Sequence, residues 1–119
     1  MKTLKPRGII VFRADEIGPI LNQVKRQTIR PKLGGVIREG STYEAKTDKK
    51  SQTCFATIKI ERVVIKRMKS LTESDIKADG YLSLDLLKER WMSTYGRWNP
   101  ERFVRVISFR VVHDSCAPE

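Results

Sequence analysis

Three polar side chains in one short stretch have the types and the spacing to do chemistry. In VKRQTIRPKLGG, Val24 to Gly35, the residues Lys25, Thr28 and Arg30 are interleaved with further charge at Arg26 and Lys32, and the stretch breaks at a Gly34-Gly35 turn. On a strand, residues two apart share a face, so Thr28 and Arg30 project together, and the residues just before the strand, Lys25 included, can fold over the same mouth. A lysine whose ammonium form is destabilised by burial or by Arg26 and Arg30 can accept the Thr28 hydroxyl proton and make that oxygen a nucleophile. Such a pair wants a carboxylate as proton shuttle and lysine partner, and KADGY offers Asp79. A plainer account fits the same residues: basic side chains on a short edge strand discourage pairing with another chain, and Thr is a favoured strand residue.

Other chemistries find little material. His113 is the single histidine, so a Ser-His-Asp arrangement has only that residue, and nothing around it resembles a nucleophile elbow. Neither phosphate-loop nor dinucleotide glycine pattern occurs, which leaves Gly34 and Gly35 as turn residues and implies no cofactor. Cys54 and Cys116 form no CxxC pair, and His113, Asp114 and Cys116 offer a metal at most an incomplete ligand set, so no metal is expected. Cys54, beside Phe55 in an apolar run, reads as a small core side chain rather than a reactive thiol.

At 119 residues the chain has room for one compact domain, 1–119, that buries enough surface to fold without a disulfide or a metal. No apolar run approaches bilayer length, and the apolar part of MKTLKPRGIIVF is cut short at Arg13, too soon for a signal peptide, so a cytoplasmic protein with no membrane partner is expected. The formal charge of +10 creates a long-range field that attracts polyanions. RNA or a nucleotide-like ligand is the expected partner, with an acidic protein as the alternative. Lys49, Lys50, Lys66 and Arg67 extend the basic surface of Lys25, Arg26, Arg30 and Lys32 if they lie on the same side. Trp98, in YGRWNP, either stacks on an unpaired base or covers one end of the fold.

The elements that must position these residues are mostly strands. GIIVF, Gly8 to Phe12, is a continuous β-prone run, and DEIGPILNQV carries acids, Pro19 and apolar residues at near-helical spacing for one or two helical turns. A short strand over Thr28 to Arg30 ends at Pro31, Gly40 turns into a strand over Ser41 to Ala45, and KTDKKSQ is an exposed hairpin tip. TCFATIKIERVVIKRM is long for one strand and changes phase: Ile58 and Ile60 point one way, and after Glu61 and Arg62 the inward set becomes Val63 and Ile65, which predicts a bulge. RFVRVISFRVV shows a similar split between Val104 with Val106 and Ile107 with Phe109 and Val111. Two long face-switching strands predict a small, strongly curved barrel. Between them Thr72 and Asp75 form a capping box for ESDIKAD, closed by Gly80. Ser83 caps a helix whose Leu84, Leu87, Trp91 and Tyr95 lie on one face as core contacts, closed by Gly96.

Taken in order, ILNQVKRQTIR, IREGSTYEA, ATIKIERVVIKRMKSLTESDIKADGYLSLDLLKERW and FVRVISFRV resemble the ASCH domain, the activating-signal-cointegrator homology family. The shared pattern is a basic K-x-x-T-x-R strand at Lys25, Thr28 and Arg30, a turn at Gly40, the Leu71 to Asp75 segment, the acidic step Asp79-Gly80-Tyr81 and a closing strand ending in Phe109-Arg110. The resemblance implies an α+β, mainly β fold: a small PUA-like β-barrel with flanking short helices, used as an RNA-binding module with a cationic nucleotide-binding cleft. It also implies a second activity, because one branch of the family is similar in using the Lys and Thr as the catalytic pair of an acetylcytidine amidohydrolase. Here Lys25 and Thr28 match, while Asp79 stands in place of that branch's Glu.

Overall fold

The computed structural model describes residues 6–32 and 35–114, so Gly34 and Cys116 lie outside the described residues. Its centre is a long antiparallel ribbon of β4 (Ala56–Arg67) and β5 (Phe103–His113). Shorter strands flank it: β1 (Gly8–Val11), β2 (Gln27–Pro31) and β3 (Thr42–Lys46). The order is β1-β3-β4-β5-β2, with β1 parallel to β3 and every other pair antiparallel. Since β3 pairs with β4 over Ala56–Lys59 and β2 pairs with β5 over Val104–Ser108, the two flanks attach at opposite ends of the ribbon and the sheet curves.

The phase change in β4 has the expected cause. The register steps between Ile60 and Arg62, passing over Glu61, so Val63 comes to face Ile107 on the same side as Ile58 and Ile60. Ile65 does not follow it inward and is 49% exposed, because the core on that face ends at Val63, while the neighbouring Val64 packs on the opposite face of the strand. In β5 no slip is needed. Val104 and Val106 occupy one face and Ile107, Phe109 and Val111 the other in plain alternation, and each face is covered over a different part of the strand. One core gathers Phe12, Ile20, Tyr43, Ile58, Ile60 and Phe109; the other packs Ile29, Val104 and Val106 against Met68, Ile76, Leu87 and Trp91 from the helical side.

The expected barrel does not close. β1 and β2 are the two edges of a five-stranded sheet, one only four residues long and the other ending at Pro31, which has no N–H to donate. A side chain spans the seam instead: Arg30 Nη2 donates to the Val11 carbonyl at 2.7 Å, and its guanidinium lies 5.0 Å from the centre of the Phe12 ring.

Among the described residues three α-helices complete the fold: α1 (Ile17–Leu21), α2 (Glu73–Ala78) and α3 (Leu84–Tyr95). Pro19 is the third residue of α1, within the first turn, where its missing N–H costs no helical bond. The Thr72 capping box forms as the sequence predicts, Asp75 N donating to Thr72 Oγ1 at 3.1 Å and Thr72 N to Asp75 Oδ2 at 2.9 Å. Gly96 ends α3 in the left-handed region at φ 77°. Cys54 is half-buried, outside both cores, and is not a free thiol.

Candidate functional site

The segment between α1 and β2 is tied down by its backbone before any side chain acts. Lys25 N donates to the Pro19 carbonyl at 2.9 Å, Arg26 N to the Ala78 carbonyl at 2.8 Å, and Phe109 N to the Arg26 carbonyl at 3.0 Å. Anchoring Arg26 on the last turn of α2 sets Lys25 beneath Asp79, the residue that caps that helix. Gly80 follows at φ 94°, in the left-handed region that glycine permits, and packs against the Lys25 stem.

Lys25, Thr28 and Asp79 are only 4%, 3% and 5% exposed, and together they line a hollow of about 350 Å3. The Lys25 ammonium donates to Asp79 Oδ1 and, at 3.0 Å, to the Asp79 carbonyl; Glu16 Oε2 lies 3.3 Å away. Three oxygens thus face its three donors. Glu16 is steadied in turn by Arg13 N, which donates to Glu16 Oε1 at 2.8 Å. Thr28 Oγ1 accepts from Arg30 Nε at 2.9 Å, and among the described residues Lys25 and Thr28 share no hydrogen bond.

The walls come from both sides of the fold. Phe12 and Arg13 follow β1, Thr28 and Arg30 face in from β2, and Leu87, Arg90, Trp91, Thr94 and Tyr95 form one stripe of α3. Arg13 donates to Thr94 Oγ1, and Arg90 grips Asp15 with two hydrogen bonds of 2.9 and 2.5 Å. The Arg90 hydrogen bond holds the Asp15 carboxyl below the usual range. Asp79 is shifted the other way: burial pushes its carboxyl up to about 6, against the pull of Lys25 and the smaller one of Arg30. Burial, with the Asp79 charge adding to it, pushes the Tyr81 hydroxyl up to about 12, so this wall residue stays neutral.

The other basic candidates are scattered. Arg26 is exposed and borders a second hollow of about 480 Å3 with Gln23, Gln27, Ser108 and Arg110, on the far side of Lys25. Lys32 is exposed just beyond β2. Lys49 and Lys50 are exposed in the β3–β4 connection, whose Thr47 lines the first hollow. Lys66 is paired with Asp75 at 2.7 Å, and Arg67 with Glu101 at 3.1 Å while lying over Phe103. Neither lines the hollow. Trp98 packs on the helix-side core, its ring 6.2 Å from that of Trp91 and nearly perpendicular to it, with Lys88 over its face.

Sequence reasoning missed Glu16, Arg13 and Arg90. The acids of DEIG were visible but read as marks of a helix start, a role Glu16 also fills. The α3 stripe was read as core, and Leu87 and Trp91 are core, yet the same stripe continues as the wall of the hollow. Among the described residues no group of three or more His, Cys, Asp or Glu side chains could hold a metal, and no helix is long and apolar enough to cross a membrane.

No protein-family model and no curated protein sequence matches the chain. Solved structures do. An ASCH domain from Lactobacillus crispatus aligns over 92% of this chain and 82% of its own, with a TM-score of 0.71 at 18% identity. A DUF984 protein from Enterococcus faecalis aligns over 100% of this chain and 88% of its own, with a TM-score of 0.70 at 17% identity. The ASCH protein of Zymomonas mobilis aligns over 90% and 68%, with a TM-score of 0.64 at 12% identity. At these identities the likeness is one of fold.

Proposed function

We propose that this chain, with its ASCH-like fold, binds single-stranded RNA by taking one nucleotide into the hollow floored by Lys25 and Asp79. The observation that carries the reading is a buried charge cluster at the base of an open concave site: an ammonium and two carboxylates are costly to bury for folding alone, and such groups concentrate where ligands are handled. Arg13, Lys25, Arg30 and Arg90 outnumber Glu16, Asp79 and the Asp15 that Arg90 holds, so the charge around it is positive by one and favours an anion. The volume of about 350 Å3 falls in the range of small-molecule sites, and its aromatic side chains suit a base. Exposed Arg26, Lys32, Lys49 and Lys50 supply phosphate contacts outside it. With three or four phosphates contacted, log affinity for a labelled single strand falls against log salt with a slope of about −2 to −3. Anisotropy titrations between low and physiological salt measure it; a flat response, or binding that an acidic protein displaces and RNA does not, rejects the reading.

A second reading is favoured by the convergence of Thr28, Lys25 and Asp79 on one hollow: hydrolysis of the amide of an acetylated cytidine. Thr28 Oγ attacks the carbonyl carbon and passes its proton to Lys25, the C–N bond breaks with a proton from Asp79 to the departing amine, and water then hydrolyses the ester on Thr28. Arg30, donating to Thr28 Oγ1, stands beside the developing oxyanion. An Asp79 carboxyl near 6 keeps part of its proton at neutral pH, as an acid for this step must. Lys25 becomes the base only after it surrenders a proton to Asp79 or Glu16. Acetylcytidine turnover is expected to fall on the order of a thousandfold or more in Thr28→Ala. Wild type and variant that are equally inert, while nucleoside binding is measurable, exclude the mechanism.

A further inference from the structure

The cations that line the hollow are not equally committed. Lys25 is buried against three oxygens, and Arg30 divides its donors between Thr28 Oγ1 and the Val11 carbonyl. Arg90 is held more loosely. Its side chain, 26% exposed, forks onto Asp15, which is 64% exposed and does not line the hollow. Asp15 and Glu16 are neighbours on the 3-10 turn Ala14–Glu16, yet they part: Glu16 turns in to Lys25, while Asp15 meets Arg90 from the solvent side. Arg13, at the head of that turn, donates to the neutral Thr94 hydroxyl, which in turn donates to the Arg90 carbonyl at 2.9 Å. Two guanidinium groups therefore reach one turn of the α3 wall. An exposed ion pair adds little to stability, because water serves both charges nearly as well, so exchanging Asp15 for another anion costs little.

We propose that Arg90, with Arg13 beside it, is the receptor for the phosphate of the bound nucleotide, and that Asp15 fills this place in the free protein until the ligand displaces it. This inference rests on the nucleotide-binding reading above. A guanidinium fork fits a phosphate as well as a carboxylate, and a phosphate monoester at neutral pH brings more negative charge than Asp15 takes away. The released Asp15 returns to water, and the lining becomes one charge more positive where the phosphate enters. The place also suits a strand. Arg90 borders an outer groove with Tyr81, Leu82 and Leu86 as well as the hollow, so it stands at the rim, where RNA continuing past the hollow has its phosphate.

The test uses the whole chain labelled with 15N and compares uridine with uridine 5′-monophosphate, so that the base is held constant. Wild type is expected to bind the monophosphate about tenfold or more tightly than uridine, and only the monophosphate should shift the Arg90 and Arg13 Nε–H signals. The Thr28 amide reports entry of either ligand. Asp15→Asn, a change at an exposed side chain, removes the competitor and should tighten the monophosphate about two- to fivefold, with no such gain for uridine. Arg90→Gln should weaken the monophosphate about tenfold or more, and in that background Asp15→Asn should lose most of its gain, because the gain acts through Arg90. Inorganic phosphate alone should bind more weakly than the monophosphate. If the two ligands shift the Thr28 amide with equal affinity, or Asp15→Asn brings the same gain with and without Arg90, the inference is overturned while nucleotide binding stands. Inorganic phosphate that binds as tightly as the monophosphate overturns it too, since Arg90 then receives a free anion. If neither uridine ligand moves any signal of the hollow, both readings fall. The wild-type arginine signals and Asp15→Asn decide this even if Arg90→Gln does not fold.

Discussion

Replacing Lys25 by methionine is expected to lower folding stability by about 3–5 kcal/mol, the cost of removing one partner from a buried ion pair. Methionine keeps much of the volume of the lysine stem, so the loss comes from charge rather than a cavity. It strands Asp79, 5% exposed, and takes from Glu16 the cation it now faces. Asp79 responds by holding its proton, so the deficit against wild type is smaller at pH 5 than at pH 8. Adding Asp79→Asn removes the stranded charge and should restore more than half of the loss. Urea unfolding of wild type, single and double variants at the two pH values measures all three expectations. A single-variant loss under about 1 kcal/mol, unchanged with pH, means the pair does not carry the site.

The second large effect is a pH dependence that Asp79 already confers on the wild type. Its carboxyl sits at about 6 in the folded chain and near 4 when the chain is unfolded, because burial disfavours its ionised form. Between those values the folded state binds more of this proton than the unfolded state does. Its contribution is therefore present in full below about pH 4 and lost as pH rises through 6, a change on the order of 3 kcal/mol. Asp79→Asn should remove that slope, so the variant's stability relative to wild type should be least favourable near pH 4 and improve by a comparable amount at pH 7.5. Parallel stability profiles for the two proteins exclude a raised Asp79. The same titration bears on ligand affinity, since an ionised Asp79 makes the floor of the hollow less attractive to an anion.

Much of the local structure was legible because a few neighbouring residues decide it. The Thr72 capping box, the left-handed Gly96 and the Glu61 bulge follow from contacts or periodicity within one or two turns of chain. Thr28 and Arg30 were placed on one face by the two-residue period of a strand, and they do touch, Arg30 Nε to Thr28 Oγ1. The scattered lysines were not legible: charge alone cannot tell Lys66, held by Asp75, from exposed Lys49. Ile65 shows the limit of pattern reading, since alternation names a face without saying how far the core beneath it extends.

The amino-acid sequence by itself determined the strands, the caps, the bulge and the basic surplus, together with the residue types a nucleotide site needs. Only the tertiary structure decided that Lys25 meets Asp79, 54 residues away, that Glu16 joins them, and that Arg30 spans the gap where the sheet stays open. The reason is the range of the forces involved. Backbone periodicity and capping act over a few residues, whereas a buried ion pair forms only where the packing of α1, α2 and β2 brings distant charges together and removes their water.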